Sequence, residues 1–199
     1  HFNDKDQPLA FFAFQFDGTE RGVAIRDFWG RFYENKLQLF ALTMGMFARP
    51  MGFEANLSSS ERETPERGRM SQILMKTERD VGAMVTLDAR NKNHVLRRVK
   101  LDIGVFNGQG LAGPVEYDSH KDIIGRLSLK PYKFKSGWQL SASVSGYYGG
   151  ITSQSLQLYK LQGAGAAAYA YIDSSAGNMG HTAPRRYYGA DAQLRIPNR

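Results

Sequence analysis

The chain has 199 residues, of which 42% are hydrophobic and 23% charged, and this balance excludes a disordered segment. It contains no cysteine, which excludes disulfides and thiolate metal sites, and no run approaches the ~20 consecutive apolar residues of a transmembrane helix. The formal net charge of +7 fits nucleic acid, an anionic membrane surface or small anions as partners, so the placement of the charges must decide among them.

Period-two alternation of apolar and polar residues predicts strands along most of the chain. In the clearest segment, odd positions from Val95 to Val105 are apolar except Arg97, whereas even positions include Lys100 and Asp102. Helical turns are predicted only over residues 70–76 and 164–170. We therefore predict an all-β chain that forms one domain over residues 1–199. The predicted strands, in chain order, are residues 9–16, 23–34, 37–49, 81–89, 95–106, 121–132, 138–148 and 188–196.

The connections between these segments alternate in length. Outer-membrane barrels show this alternation, with short periplasmic turns and longer extracellular loops. Strands of about ten residues also suit a tilted crossing of the hydrocarbon layer. Residues 17–22 are an exception, a short connection where a long loop is due. We predict an antiparallel transmembrane β-barrel in the bacterial outer membrane, with lipid against its apolar faces. The short connections are residues 35–36, 90–94 and 133–137, and the long ones are 50–80, 108–120 and 149–184.

Aromatic residues gather near the ends of the predicted strands. Membrane barrels carry aromatic girdles at both interfaces, so we expect these side chains to lie there. Arg97 falls on the apolar face, close to a turn, where its long side chain can reach the interface. The aromatic residues are Phe106, Tyr132, Trp138, Tyr147, Tyr148, Tyr187 and Tyr188.

Five segments resemble, in order, motifs of the phosphate-selective porin family of the O and P type. Residues 45–54 are similar to its G-x-F-x-x-P-F-G-x-E strand end, with Met51 in place of the usual aromatic residue. The resemblance implies a 16-stranded trimeric barrel, an anion-leaning pore and a third long loop folded inward as a constriction. About nine strands are present, so we expect an incomplete barrel. The other motifs are E-R-D-x-G-x, G-x-F-N-G-x-G, K-D-x-x-G-R and Y-x-G-A-D, at residues 78–83, 104–110, 121–126 and 187–191.

If the apolar faces meet lipid, the charged faces line the lumen. Cations there outnumber the acids Asp102, Asp122 and Asp191, which would raise the local concentration of small anions. The alternative is that these charges only solvate a water-filled wall. The predicted pore-lining, anion-binding cations are Arg98, Lys100, Arg126, Lys130 and Arg195.

By resemblance, residues 50–80 would form the constriction loop, whose arginines could hold phosphate bidentately. The alternative is an ordinary surface loop of mixed charge, because Glu61, Glu63, Glu66 and Glu78 lie among the cations. The cations of this loop are Arg62, Arg67, Arg69, Lys76 and Arg79.

Other classes of function have weaker support. A soluble β-sandwich or barrel that binds acidic ligands would bury the same apolar faces in a core. An outer-membrane hydrolase would rest on Ser119 and His120, whose adjacency alone does not make a nucleophile and base. No histidine spacing or glycine segment predicts a metal or nucleotide site. We predict a passive porin and not an enzyme, with small anions or other small solutes as ligands, no cofactor, no metal and no nucleic acid.

Overall fold

The computed structural model describes residues 2–4, 7–19, 22–54, 57, 66, 68–75, 77–110 and 120–197. A single short α-helix, α1 (Arg69–Leu74), lies in this part of the chain, and none of its helices has the length and apolar character to cross a bilayer. The strands are β1 (Phe2–Asp4), β2 (Gln7–Thr19), β3 (Gly22–Tyr33), β4 (Phe40–Ala48), β5 (Arg79–Asp88), β6 (Val99–Phe106), β7 (Asp122–Lys133), β8 (Gln139–Thr152), β9 (Leu158–Gln162), β10 (Tyr169–Asp173) and β11 (Thr182–Arg195).

Nine of these strands form one antiparallel sheet in the order β1-β2-β3-β4-β5-β6-β7-β8-β11. Consecutive strands are neighbours throughout, and β9 and β10 form a separate two-stranded sheet within the connection between β8 and β11. Within the described residues the large sheet is open, with β1 and β11 at its edges. The prediction of an all-β, antiparallel fold is confirmed.

The prediction of a strand over residues 95–98 is wrong. Val95 to Arg98 form a 3-10 helix, and β6 begins at Val99. The ring Nδ1 of His94 accepts a hydrogen bond from the Leu96 backbone N–H at 3.1 Å, and the Arg97 N–H donates to the His94 carbonyl. These local bonds satisfy the backbone within the turn and so remove it from the ladder.

The apolar side chains of the long strands share one face of the sheet, and this apolar face is exposed. Val85 lies opposite Ile103, and Leu127 lies opposite Val144. Their exposed fractions are 49%, 49%, 45% and 54%. A soluble sheet buries such a face against a second layer, because apolar surface in water is unfavourable. Here the described chain supplies no such layer.

The opposite face, the polar face, carries rows of charged and hydroxyl side chains. One row runs across four strands through Thr86, Asp102, Arg126 and Ser145. The faces predicted from alternation agree with this register, apart from a shift in β7 between Leu129 and Tyr132. The segments are residues 81–88, 99–106, 121–132, 138–148 and 188–196.

The buried core lies against the polar face. Its members include Met51 and Met75, which flank the connection between β4 and β5. The described parts of that connection therefore fold over the polar face, and the Gly52 N–H donates to Ser145 Oγ on β8 at 3.2 Å. Helix α1 is held near this segment through Ser71, whose hydroxyl donates to Glu54 at 2.7 Å. The cluster comprises Phe47, Met51, Met75, Met84, Phe106, Ile124 and Tyr147, with Trp29, Leu74 and Tyr187 packed against it.

Candidate functional site

The polar face holds four of the five predicted pore-lining cations. Lys100 Nζ lies 2.7 Å from Asp102 Oδ2. Arg126 donates two hydrogen bonds to Ser143 Oγ at 3.0 and 2.8 Å, and its Nη2 lies 3.4 Å from Asp191 Oδ1. Lys100 is therefore matched by a carboxylate on its own strand, β6, and Arg126 by one on β11, beyond β8.

The other two polar-face cations differ in their pairing. Lys130 forms an ion pair with Asp88, across the sheet on β5. Arg195 ends β11, is exposed and has no ion pair with any described residue. Three of the four cations thus have an acidic partner, so the excess of positive charge on this face is smaller than the sequence count indicates.

Arg98 lies elsewhere. It belongs to the 3-10 helix before β6, and its guanidinium lies over the Tyr132 ring, 4.4 Å from the centroid. Tyr132 pairs with Leu140, which places it on the apolar face. The assignment of Arg98 to the pore-lining set is corrected accordingly: it lies at the outer rim of the sheet, because the chain leaves the ladder before reaching it.

The cations of the predicted constriction loop are only partly described. Arg69 is exposed in the first turn of α1. Arg79 lies at the start of β5, where its Nε donates to Asp27 Oδ1 at 2.9 Å and its Nη1 to Glu78 Oε2 at 3.1 Å. Arg62, Arg67 and Lys76 lie outside the described residues.

A buried network of charges, which the sequence did not predict, joins the sheet to the long connections. Its first half is centred on Asp122, whose side chain is 0% exposed. That carboxylate accepts hydrogen bonds from the Tyr147 hydroxyl, from the Gly150 N–H at 3.1 Å and from Arg185 at 2.5 Å. Arg185 also donates to the Gly108 carbonyl at 2.7 Å. The Asp122 carboxylate therefore holds β8 and β11 directly, and it holds the residues after β6 through Arg185.

The second half of the network pairs Arg49 with Asp80. The side chains are 4% and 2% exposed, and Arg49 Nη1 lies 3.7 Å from Asp80 Oδ2. Asp80 accepts from the N–H groups of Val81 at 2.8 Å and Gly108 at 2.7 Å. Arg49 also donates to the Tyr147 hydroxyl at 3.4 Å, which joins the two halves.

The signal that could have found this network was present in the motif segments. Arg49, Asp80, Gly108 and Asp122 come from four of the five segments that carry the family resemblance. The antiparallel order of the sheet brings these segments to one end, where the long connections begin. Their charges balance, two arginines against two aspartates, so the network stabilises the loops and adds no net charge to the polar face.

Two aromatic residues predicted for the girdle belong to this buried region instead. Phe106 and Tyr147 are 1% and 2% exposed and lie in the core on the polar face. Tyr187 packs against the same core. The remaining girdle candidates point the other way and are exposed, namely Tyr132, Trp138, Tyr148 and Tyr188.

Two cavities lie side by side on the polar face. The first, of about 350 Å³, reaches from Trp29 and Arg31 on β3 across to Arg126 on β7. The second, of about 360 Å³, extends from β6 to β11 and includes Arg195. Lys100, Asp102 and Arg126 border both cavities. Together they form a groove whose shared cations, Lys100 and Arg126, are paired with carboxylates. Such a groove suits small polar solutes.

Two acidic groups outside the large sheet have shifted pKa values. The Leu37 backbone N–H donates to Glu34 Oε1 at 2.6 Å and lowers the pKa of that carboxyl. The hydrogen bond from Lys160 lowers the pKa of Asp173 to about 2, and the same contact raises the pKa of Lys160. Within the described residues there is no group of three or more acidic or histidine side chains that could hold a metal ion.

Comparison of the chain with family models, with curated proteins and with solved structures finds no match.

Proposed function

We propose that this chain forms part of the wall of an outer-membrane diffusion channel of porin type, through which small solutes, with a preference for anions, pass along the polar face. The observation that carries the proposal is the exposure of the apolar face together with the burial of the core against the polar face. A continuous apolar face of this size is unfavourable in water. Lipid acyl chains are a favourable solvent for it.

The height of the apolar face supports a bilayer crossing. On β8 it extends from Leu140 to Tyr148, eight residues further along the strand. At about 3.4 Å per residue this is roughly 27 Å along the strand. For a strand tilted by about 40° it corresponds to roughly 21 Å across the membrane, close to the ~25 Å apolar band of outer-membrane barrels.

Both ends of the apolar face carry an arginine stacked on a tyrosine. At the short-turn end Arg98 lies over Tyr132, and at the long-loop end Arg186 lies over Tyr148 at 5.1 Å from the centroid. Tyrosine favours the membrane interface, and an arginine beside it can keep its guanidinium in the headgroup region. The two stacks suit the two interfaces of one bilayer.

Closure of the barrel is part of the proposal. Among the described residues, the edge strand β11 pairs along its whole length with β8 and with no other strand. An open edge in lipid would leave backbone N–H and C=O groups without partners, at several kcal/mol each. The proposal therefore requires further strands against β1 and β11, and a 16-stranded trimer of the porin type would supply them.

The charge pattern supports passive diffusion with a modest anion preference. Most polar-face cations have a carboxylate partner, so the groove presents alternating donors and acceptors to a solute. Tight binding is not needed for a diffusion channel, because a solute must leave as easily as it enters. A small excess of positive charge favours anions without excluding neutral solutes.

Conductance measurements test this proposal. The protein, kept in detergent and reconstituted in planar bilayers under a KCl gradient, should conduct and reverse at a potential that favours chloride. Absence of conductance, or a clear preference for potassium, would overturn it. A protein that remains monodisperse after detergent removal would equally contradict the exposure of the apolar face to lipid.

Two matched variants localise the selectivity. Replacing Lys100 and Arg126 together by glutamine should move the reversal potential toward potassium, since Asp102 and Asp191 would lose their partners. Arg98→Gln removes one cation at the outer rim of the sheet and should shift the potential much less than the double replacement. Equal shifts in both proteins would mean that the position of the charge does not matter, contrary to the proposal.

A further inference from the structure

The first cavity on the polar face contains one cation whose charge is not matched. Arg31 donates from Nε to the Thr43 hydroxyl at 2.9 Å and has no other hydrogen bond or ion pair with described residues. The acids of this cavity are already engaged, Asp27 by Arg79 and Asp102 by Lys100. Arg31 lines this cavity, and its two remaining guanidinium nitrogens have no hydrogen bond with the described residues.

An apolar surface lies beside this fork. Trp29 is half-buried and packs against the core, and its ring centroid is 5.3 Å from that of Phe11. Phe47 and Met84 complete the apolar part of the cavity lining. A ligand that filled the cavity would meet one unpaired positive charge and an aromatic wall.

We infer that this cavity binds organic monocarboxylates with an aromatic or other flat apolar body, with the carboxylate on Arg31 and the body against Trp29. The guanidinium fork matches a carboxylate in a bidentate geometry. A volume of about 350 Å³ lies within the range of small-molecule sites. The inference rests on the proposed function, since it makes this cavity a binding site for solutes along the channel.

Inorganic phosphate fits the cavity less well than an organic monoanion. A doubly charged anion would meet the nearby carboxylates of Asp27 and Asp102, which repel it, and only one cation without a partner. It would also leave the surfaces of Trp29 and Phe47 without a contact. The single unpaired charge of Arg31 and the apolar lining together favour a singly charged ligand with an apolar body.

The position of the two tryptophans allows binding to be measured without conductance. The chain has two, Trp29 in the cavity and Trp138 at the far, short-turn end of the sheet. Trp138→Phe keeps an aromatic ring at that end and leaves Trp29 as the only indole. In this background, 4-nitrobenzoate should quench the fluorescence of the detergent-solubilised protein in a saturable manner.

Three comparisons identify the contacts. Arg31→Gln should raise the dissociation constant of 4-nitrobenzoate about tenfold or more, because a charge-assisted fork is lost. Arg31→Lys should bind with intermediate affinity, because it keeps the charge and loses the fork. Arg195→Gln removes a polar-face cation that lies outside this cavity and has no ion pair with the described residues, and it should leave the constant unchanged.

The neutral analogue 4-nitrobenzyl alcohol tests the charge in the unaltered cavity and needs no change at Arg31. It should bind at least about tenfold more weakly than 4-nitrobenzoate, and inorganic phosphate should not displace the benzoate. Equal binding of acid and alcohol, displacement by phosphate, or an unchanged constant in Arg31→Gln would each overturn the inference. Conductance without benzoate binding refutes only the inference, whereas binding without conductance refutes only the proposed channel.

Discussion

Removal of the Asp122 carboxylate should destabilise the protein far more than removal of an exposed carboxylate on the same face. Asp122 is fully buried and accepts from Tyr147, Gly150 and Arg185. In Asp122→Ala these donors lose their common acceptor, and Arg185 keeps the Gly108 carbonyl and the face of the Tyr147 ring but no described carboxylate. Breaking a buried ion pair in this way costs about 3 to 5 kcal/mol.

Asp88→Ala is the matched control, because Asp88 also lies on the polar face and forms an ion pair, with Lys130. Unlike Asp122, both side chains of this pair are about one-third exposed, Asp88 at 35% and Lys130 at 32%. Its loss should cost about 0 to 1 kcal/mol. Urea unfolding from lipid vesicles, followed by tryptophan fluorescence, measures both. Equal losses of unfolding free energy in the two variants would refute the idea that burial makes the Asp122 network more stabilising than the exposed pair.

Three further predictions concern other parts of the molecule. Ile103→Lys should destabilise the protein in lipid by about 2 to 4 kcal/mol, whereas Ser128→Lys on the polar face should be nearly neutral, as refolding into vesicles would show. Because the pKa of Asp173 is lowered to about 2 from 3.8, its contact with Lys160 should hold the β9–β10 hairpin above about pH 4 and be lost as pH falls toward 2; amide exchange in the hairpin, set against Asp173→Asn, measures this. Gly45→Ala should cost about 1 to 3 kcal/mol in urea unfolding, because Gly45 has φ of 121° and an added Cβ would lie 2.3 Å from a β3 carbonyl oxygen.

The sheet could be predicted from the sequence because the alternation of apolar and polar residues and the pairing of strands both depend on which face each side chain occupies. A strand with one apolar and one polar face fixes which residues share a face, and a one-residue slip in register would reverse them. Along β6 to β8 the sequence pattern and the register agree, except at the irregularity of β7 between Leu129 and Tyr132. The lengths of the connections then indicated which end of the sheet carries the long loops.

The site was less predictable because its decisive contacts join residues that are far apart in sequence. Arg49 and Tyr147 are 98 positions apart, and Arg185 and Asp122 are 63 apart. Alternation places a charge on a face but says nothing about its partner. For this reason the sequence overstated the cations of the polar face and assigned Tyr147, a member of the buried network, to a membrane girdle.

Most of the net charge of +7 comes from residues away from the polar face of the sheet. The connections at the short-turn end, residues 34–39, 89–98 and 133–138, contain seven lysines or arginines and one glutamate, although Lys133 also ends β7. In the proposed channel, this positive rim would attract anions over a Debye length of about 10 Å, whereas the paired charges inside the groove would act over shorter distances. Anion preference set by this rim should weaken as salt rises, while benzoate binding at Arg31, which depends on contact within the cavity, should weaken less. The two sources of selectivity can therefore be separated by ionic strength alone.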